Sequence, residues 1–171
     1  MSLRTAVVVG NPKPRSRTLA AATTLARRLT DTEPDLVVDL VTRGAALLDW
    51  QDPSVNALVD DVGAADLVVV ASPTYKASYT GLLKLFLDRF AGGVGLRGVA
   101  VPLMLGAAQH HALAPELHLR PVLVELGAAV PTPALYVLDR DHDRPESYDE
   151  WLVRSRPLVR ALLGHPTGAA A

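Results

Sequence analysis

Five short apolar runs alternate with stretches of helical pattern, and this alternation constrains the fold more than any other feature of the sequence. The runs are Thr5 to Val9, Asp35 to Val41, Asp66 to Ala71, Gly98 to Leu105 and Ala134 to Leu138. The third is apolar almost throughout, as a strand covered on both faces must be. Between the first two, Leu19, Ala22, Leu25, Ala26 and Leu29 fall on one face of a helix. Pro53 opens a short helix to Val62, and Leu82 to Phe90, Leu113 to Leu126 and Ser147 to Leu163 read as further helices. Strands alternating with helices argue a parallel sheet with helices on both faces. Right-handed crossovers then make this an α/β, doubly wound, five-stranded sheet of order 2-1-3-4-5. A single domain is expected over residues 1–163, with a disordered tail over 164–171.

Prolines mark the points of strain. Pro102 lies in the fourth strand and cannot donate to a ladder, so a bulge or local irregularity is expected there. Pro121 and Pro157 fall inside the last two helical spans, each a place for a kink or a break.

Composition narrows the classes of function. With 17 Lys+Arg against 18 Asp+Glu, no broad field favours nucleic acid or an acidic membrane. Cysteine is absent, which removes disulfides, thiolate catalysis and Cys-ligated zinc and suits a reducing compartment. Met1 to Arg4 leads into a strand without a signal-peptide core, and no apolar run approaches transmembrane length. A cytoplasmic protein without nucleic-acid or membrane partners is expected.

In a doubly wound sheet of this order a ligand lies outside the strand C-termini, at the switch between strands 1 and 3. Three loops meet there: residues 10–18, 72–81 and 106–111. The first carries Asn11, Ser16, Arg17 and Thr18 with Lys13 and Arg15, at the start of a helix whose first N–H groups are unpaired. It is neither a P-loop nor a Gly-x-Gly-x-x-Gly fingerprint. Two readings stand: a phosphate cradle, or an ordinary helix cap with Ser16 or Thr18 as N-cap and solvated cations. Pro73, Thr74, Tyr75 and Lys76 in the second loop offer backbone donors, a ring and a cation for a flat heterocycle; a plain turn covered by Tyr75 and Tyr79 is the other reading. The third loop offers close backbone approach at Gly106, Ala107 and Ala108, plus Gln109. His110 and His111 point apart on a helix start, so no metal site is expected. No Gly-x-Ser-x-Gly elbow exists, and Ser72 precedes a proline where an oxyanion-hole N–H would be needed.

Gly10-Asn11-Pro12-Lys13 with Ser16-Arg17-Thr18, then Ser72 to Lys84, then Leu119-Arg120-Pro121-Val122-Leu123 appear in this order. In these blocks the chain resembles the flavodoxin-like NAD(P)H-dependent FMN reductases, above all the branch that feeds reduced flavin to sulfonate monooxygenases. Where that branch can carry a tyrosine before the Leu-Arg-Pro block, this chain has Leu117 and His118. The resemblance implies FMN, with its phosphate at Ser16, Arg17 and Thr18 and its isoalloxazine near Pro73 to Lys76 and Gly106 to Gln109. It further implies hydride transfer from NADPH or NADH to FMN, with no obligatory catalytic residue because the flavin supplies the chemistry. A tightly FMN-bound quinone or azo reductase and a flavodoxin-type electron carrier are the alternatives. The apolar positions of Leu82 to Phe90 cover most of a helix circumference, so a homodimer or homotetramer is also expected.

Overall fold

The computed structural model describes residues 3–164. Its five strands are β1 (Thr5–Val9), β2 (Leu36–Asp39), β3 (Leu67–Pro73), β4 (Val99–Gly106) and β5 (Leu135–Leu138). They form one parallel sheet in the order β2-β1-β3-β4-β5, as the alternating pattern requires. Side chains alternate across the pleat. Val7, Val9, Val69 and Ala71 therefore pack beneath α1 (Arg17–Thr30) and α5 (Glu146–Gly164). Ala6, Val8, Val68 and Val70 pack against α2 (Pro53–Gly63), α3 (Gly81–Leu87) and α4 (Arg120–Glu125). Among the described residues no helix is long and apolar enough to cross a membrane. Of the tail expected over residues 164–171, Gly164 closes α5 and the remainder lies outside the described residues.

Helix α1 shows why these segments take their form. Ser16 caps it in an extended conformation and its Oγ accepts from Leu19 N–H. Ala21, Ala22, Leu25, Ala26 and Leu29 supply the buried stripe, and Arg27 and Arg28 complement the negative end of the dipole. Asp31, at φ +62°, ends the helix by donating its N–H to the Arg27 carbonyl.

Three details differ from the sequence expectation, and a fourth, the break beside Pro121, follows it. Pro102 causes no bulge: it sits in register opposite Val70 on β3. The N–H groups of even-numbered residues on β4 face the β5 side, as Ala100 N–H donating to the Ala129 carbonyl shows. Pro102 thus falls in the gap between that bridge and the first β4–β5 pair, Leu103 with Leu135, where no donor is called for. The second strand is shorter than expected; Asp39 ends it, and Leu40–Leu48 forms a tight 3₁₀ segment broken at Gly44 (φ +52°). The helix expected from Leu113 to Leu126 divides into a π turn at Pro115–Leu119 followed by α4. Pro121 has no N–H, and the π turn, in which Arg120 N–H reaches back to the Pro115 carbonyl, places it in the first turn of α4 where none is needed. Pro157, by contrast, leaves α5 unbroken; the carbonyl it deprives of a donor is that of solvent-exposed Val153.

Candidate functional site

The C-terminal edge of the sheet brings the three loops together through a few buried contacts. Gly10 donates its N–H to the Ala71 carbonyl, and its own carbonyl accepts from the buried Thr80 Oγ1. Thr80 also caps α3 by accepting from Leu83 N–H at 3.1 Å. A side chain at position 10 is impossible without movement, because a Cβ there would lie 2.4 Å from the Leu83 Cβ. Gly10 thus lets α3 approach β1 closely and joins the first loop to the second. On the other side, Thr74 N–H donates to the Leu105 carbonyl at 2.6 Å, joining the second loop to the third.

The first loop is organised by Asn11, which is buried. Its Nδ2 donates to Thr18 Oγ1 at 2.9 Å, and its Oδ1 accepts from Lys13 N–H at 2.9 Å. The cap is Ser16 rather than Thr18, whose hydroxyl is buried beneath Asn11. Both hydroxyl oxygens are therefore engaged as acceptors, with only their O–H hydrogens left to give. The N–H groups of Ser16, Arg17 and Thr18 have no partner among the described residues. Lys13, Arg15 and Arg17 are exposed around them and take part in no ion pair among the described residues. Three convergent backbone donors at a helix start, ringed by cations, can hold a phosphate dianion.

The second loop projects a strained tip. Tyr75 and Ser78 exchange both backbone hydrogen bonds, at 2.9 and 3.1 Å, across a two-residue turn. Its central residues Lys76 and Ala77 have φ of +51° and +65°. Two successive positive φ values make a turn usually built from Asn-Gly, so Lys76 and Ala77 adopt it at a cost. Tyr75 is 53% exposed at this tip, Lys76 is exposed, and Pro73 is buried below them. Tyr75 is therefore not a packed cover.

The third loop rests on Tyr136 of β5. Its hydroxyl donates to the Ala108 carbonyl at 2.7 Å and lies where a Cβ on Gly106 would stand, 2.1 Å from that position. Thr74 Oγ1 is beside it, buried, without a hydrogen bond of normal geometry. Burial, reinforced by the charge of Asp139, raises the Tyr136 pKa, so the phenol remains a donor across the neutral range. Because the peptide is planar, turning the Ala108 carbonyl toward Tyr136 directs the Gln109 N–H the opposite way. Ala107 and Gln109 are exposed.

All twelve residues singled out from the sequence thus lie on one connected edge. Asp39, Thr80 and Tyr136 were not among them. Thr80 carried a signal, a cap residue just before a helical pattern. Tyr136 carried none, being an unremarkable strand aromatic until the fold sets it under Ala108. Among the described residues there is no cluster of three or more potential metal ligands.

The family described as NADPH-dependent FMN reductase matches residues 3–143. An NADH-dependent FMN reductase of Pseudomonas putida, SfnF, is 30% identical over an alignment covering 99% of this chain and 97% of that protein. An FMN reductase (NADPH) of Pseudomonas aeruginosa is 31% identical over 67% of this chain, and the match spans 59% of that relative's length. Among solved structures, an NADH:FMN oxidoreductase in apo form superposes with a TM-score of 0.82 at 24% identity, covering 98% of this chain and 92% of the other. An oxidoreductase from Corynebacterium diphtheriae does so at 0.83 and 21%, covering 98% and 100%. At these identities the two structures speak for the fold alone.

Proposed function

The chain belongs to the family of NADPH-dependent FMN reductases, oxidoreductases of FMN and reduced nicotinamide, and on that premise we propose that it reduces FMN with NADPH or NADH and releases it to a partner monooxygenase. One observation carries the reading: the N–H groups of Ser16, Arg17 and Thr18 and the three cations around them, all unpaired among the described residues, lie on the same edge as the Tyr75–Lys76 tip and the third loop. This donor set fits FMN. Its phosphate would take the three N–H groups with Arg17, and its ring system would lie between Pro73 to Lys76 and Gly106 to Gln109. When bound, the flavin supplies the hydride-accepting chemistry.

The chain's own part is binding and orientation. Tyr136 holds the Ala108 carbonyl back and so presents the Gln109 N–H, a preorganised donor suited to the polar edge of a flat ring. Tyr75, exposed on its turn, offers a face for stacking. Neither Trp50 nor Trp151 lies in a site loop, so one side of the ring would stay open to a nicotinamide.

An exposed edge of this kind suits a flavin that comes and goes. The isolated protein should be largely colourless, and NADPH oxidation should require added FMN and saturate with it. A yellow preparation that keeps stoichiometric FMN through dialysis, and reduces quinones without added flavin, would instead support the tightly bound reductase. The setting we propose is the cytoplasm, where reduced nicotinamide is held.

We also propose a homodimer or homotetramer, on a different footing from the α3 pattern. Most of α3 packs within the chain: Leu83, Phe86 and Leu87 are buried, as is Phe90 just beyond the helix, with Phe86 and Phe90 edge to face at 5.2 Å. The support lies instead in Leu85, Leu117 and Val124, exposed on α3, the π turn and α4, together with a groove of about 420 Å³ on the same side of the sheet lined by Leu87, Phe90, Val122 and Leu126. A scattering mass near 18.2 kDa at micromolar concentration would remove this part of the proposal.

A further inference from the structure

We propose that Asp39 sets how tightly the phosphate cradle holds FMN relative to riboflavin, through its charge. The inference rests on the reading that the N–H groups of Ser16, Arg17 and Thr18 take the flavin phosphate. Asp39 ends β2 directly opposite Val9, the last residue of β1, so the sheet register delivers its side chain to the base of the first loop. There Oδ2 accepts the Arg15 N–H at 3.0 Å, with Arg15 in the left-handed region at φ +50°. Its other oxygen, Oδ1, is buried and has no hydrogen-bond partner among the described residues.

This is an unusual place for a carboxylate. The loop carries three cations, yet among the described residues Asp39 is in no ion pair, and it takes instead a backbone donor next to the three that remain unpaired. The first loop thus already binds one anion, and that anion belongs to the chain. A phosphate monoester seated one residue further along brings about 1.5 to 2 negative charges beside it. Like charges on neighbouring residues of one loop, one of them partly buried, repel more strongly than in bulk water. FMN and riboflavin share the ring and the ribityl chain and differ only in the phosphate. Asp39 therefore weakens FMN selectively and speeds its departure, which is what a flavin destined for another enzyme needs.

A clamp and a repelling charge have opposite consequences, which makes the inference testable. Asp39→Asn keeps an oxygen for the Arg15 N–H and removes the charge. Kd values for FMN and riboflavin, measured by flavin fluorescence on wild type and variant at low ionic strength, should show FMN tightened about five- to tenfold. Riboflavin should be unchanged, FMN release should slow in proportion, and the gain should shrink in 0.5 M salt. Asp39→Ala serves as a second variant and should shift FMN in the same direction, with denaturant unfolding confirming that each variant folds. FMN held equally or more weakly by both variants would overturn the inference and leave Asp39 a clamp. If neither the wild type nor the two variants bind FMN better than riboflavin, the phosphate reading itself fails, a separate outcome from the first.

Discussion

Arg28 of α1 pairs with Asp149 of α5, and Asp31 at the end of α1 takes both Arg156 and Arg160. Across the molecule, the loop edge holds Lys13, Arg15 and Arg17 with no ion pair among the described residues, and the buried oxygens Asp39 Oδ1 and Thr74 Oγ1 with no donor or acceptor. Both regions are charged and polar, but the cations named in the first are paired with carboxylates and those of the second are not. The α1–α5 seam covers Leu25, Leu29, Tyr148 and Leu152, and its ion pairs are exposed trim over an apolar core. The loop edge has its apolar support below it and its polar groups directed outward. Among the described residues, it also holds the left-handed non-glycine residues apart from Asp31: Arg15, Lys76 and Ala77. Unpaired cations, unpaired helix-start N–H groups and local strain meet on this edge, and together they mark where a ligand would complete the structure.

Four substitutions sharpen this contrast. The largest effect is expected from Arg17→Ala, which removes a charge-assisted contact of a type worth about 1.5–3 kcal/mol. FMN affinity should fall roughly ten- to a hundredfold, with the unfolding midpoint unmoved. Equal FMN titration curves for wild type and variant would take the phosphate away from this loop.

Gly10→Ala comes next. Its Cβ would meet the Leu83 Cβ at 2.4 Å and the Leu83 Cα at 2.8 Å, so α3 must move away from β1. A loss of about 1–3 kcal/mol in urea unfolding, accompanied by weaker FMN binding, is expected from such overpacking. Lost stability with intact binding would show that the two loops do not depend on this contact.

Ala77→Gly should do the opposite. Releasing a left-handed alanine gains more than the added freedom of the unfolded chain costs, for a net stabilisation of about 0.5–1 kcal/mol. A lower urea midpoint would mean that the turn is not strained.

The smallest effect belongs to the seam. Asp31→Asn should leave FMN binding untouched and stability at neutral pH almost so. The hydrogen bond from Arg160 is the main influence lowering the Asp31 pKa, opposed by some desolvation and aided by the charge of Arg156. A carboxyl depressed by folding contributes stability above its unfolded pKa and loses it as pH falls through the folded value. Any advantage of wild type over the variant should therefore begin to shrink as pH falls through about 4 and be gone once pH lies below the folded value. An advantage persisting in stronger acid would assign the stabilisation to something other than the ionised carboxyl.

Much of the fold was legible in the sequence, because its main signals are local. Period-2 and buried β-branched runs specify β1, β3 and β4, and a 3.6-residue stripe specifies α1. The handedness of parallel crossovers turns that alternation into the observed strand order, and the order alone places the three loops on one edge. What only the tertiary structure decided depends on contacts between distant residues. Thr80 meets Gly10 across 70 positions, Tyr136 meets Ala108 across 28, and Asp39 meets Arg15 across 24. Such pairings are fixed by how helices seat on the sheet, so no periodicity or spacing announces them. The same seating settled that Ser16 rather than Thr18 caps α1, that Pro102 falls opposite a gap in the ladder, and that α3 is buried largely within its own chain. Local pattern determined where a ligand could lie; packing across the sheet determined which groups remain free to hold it.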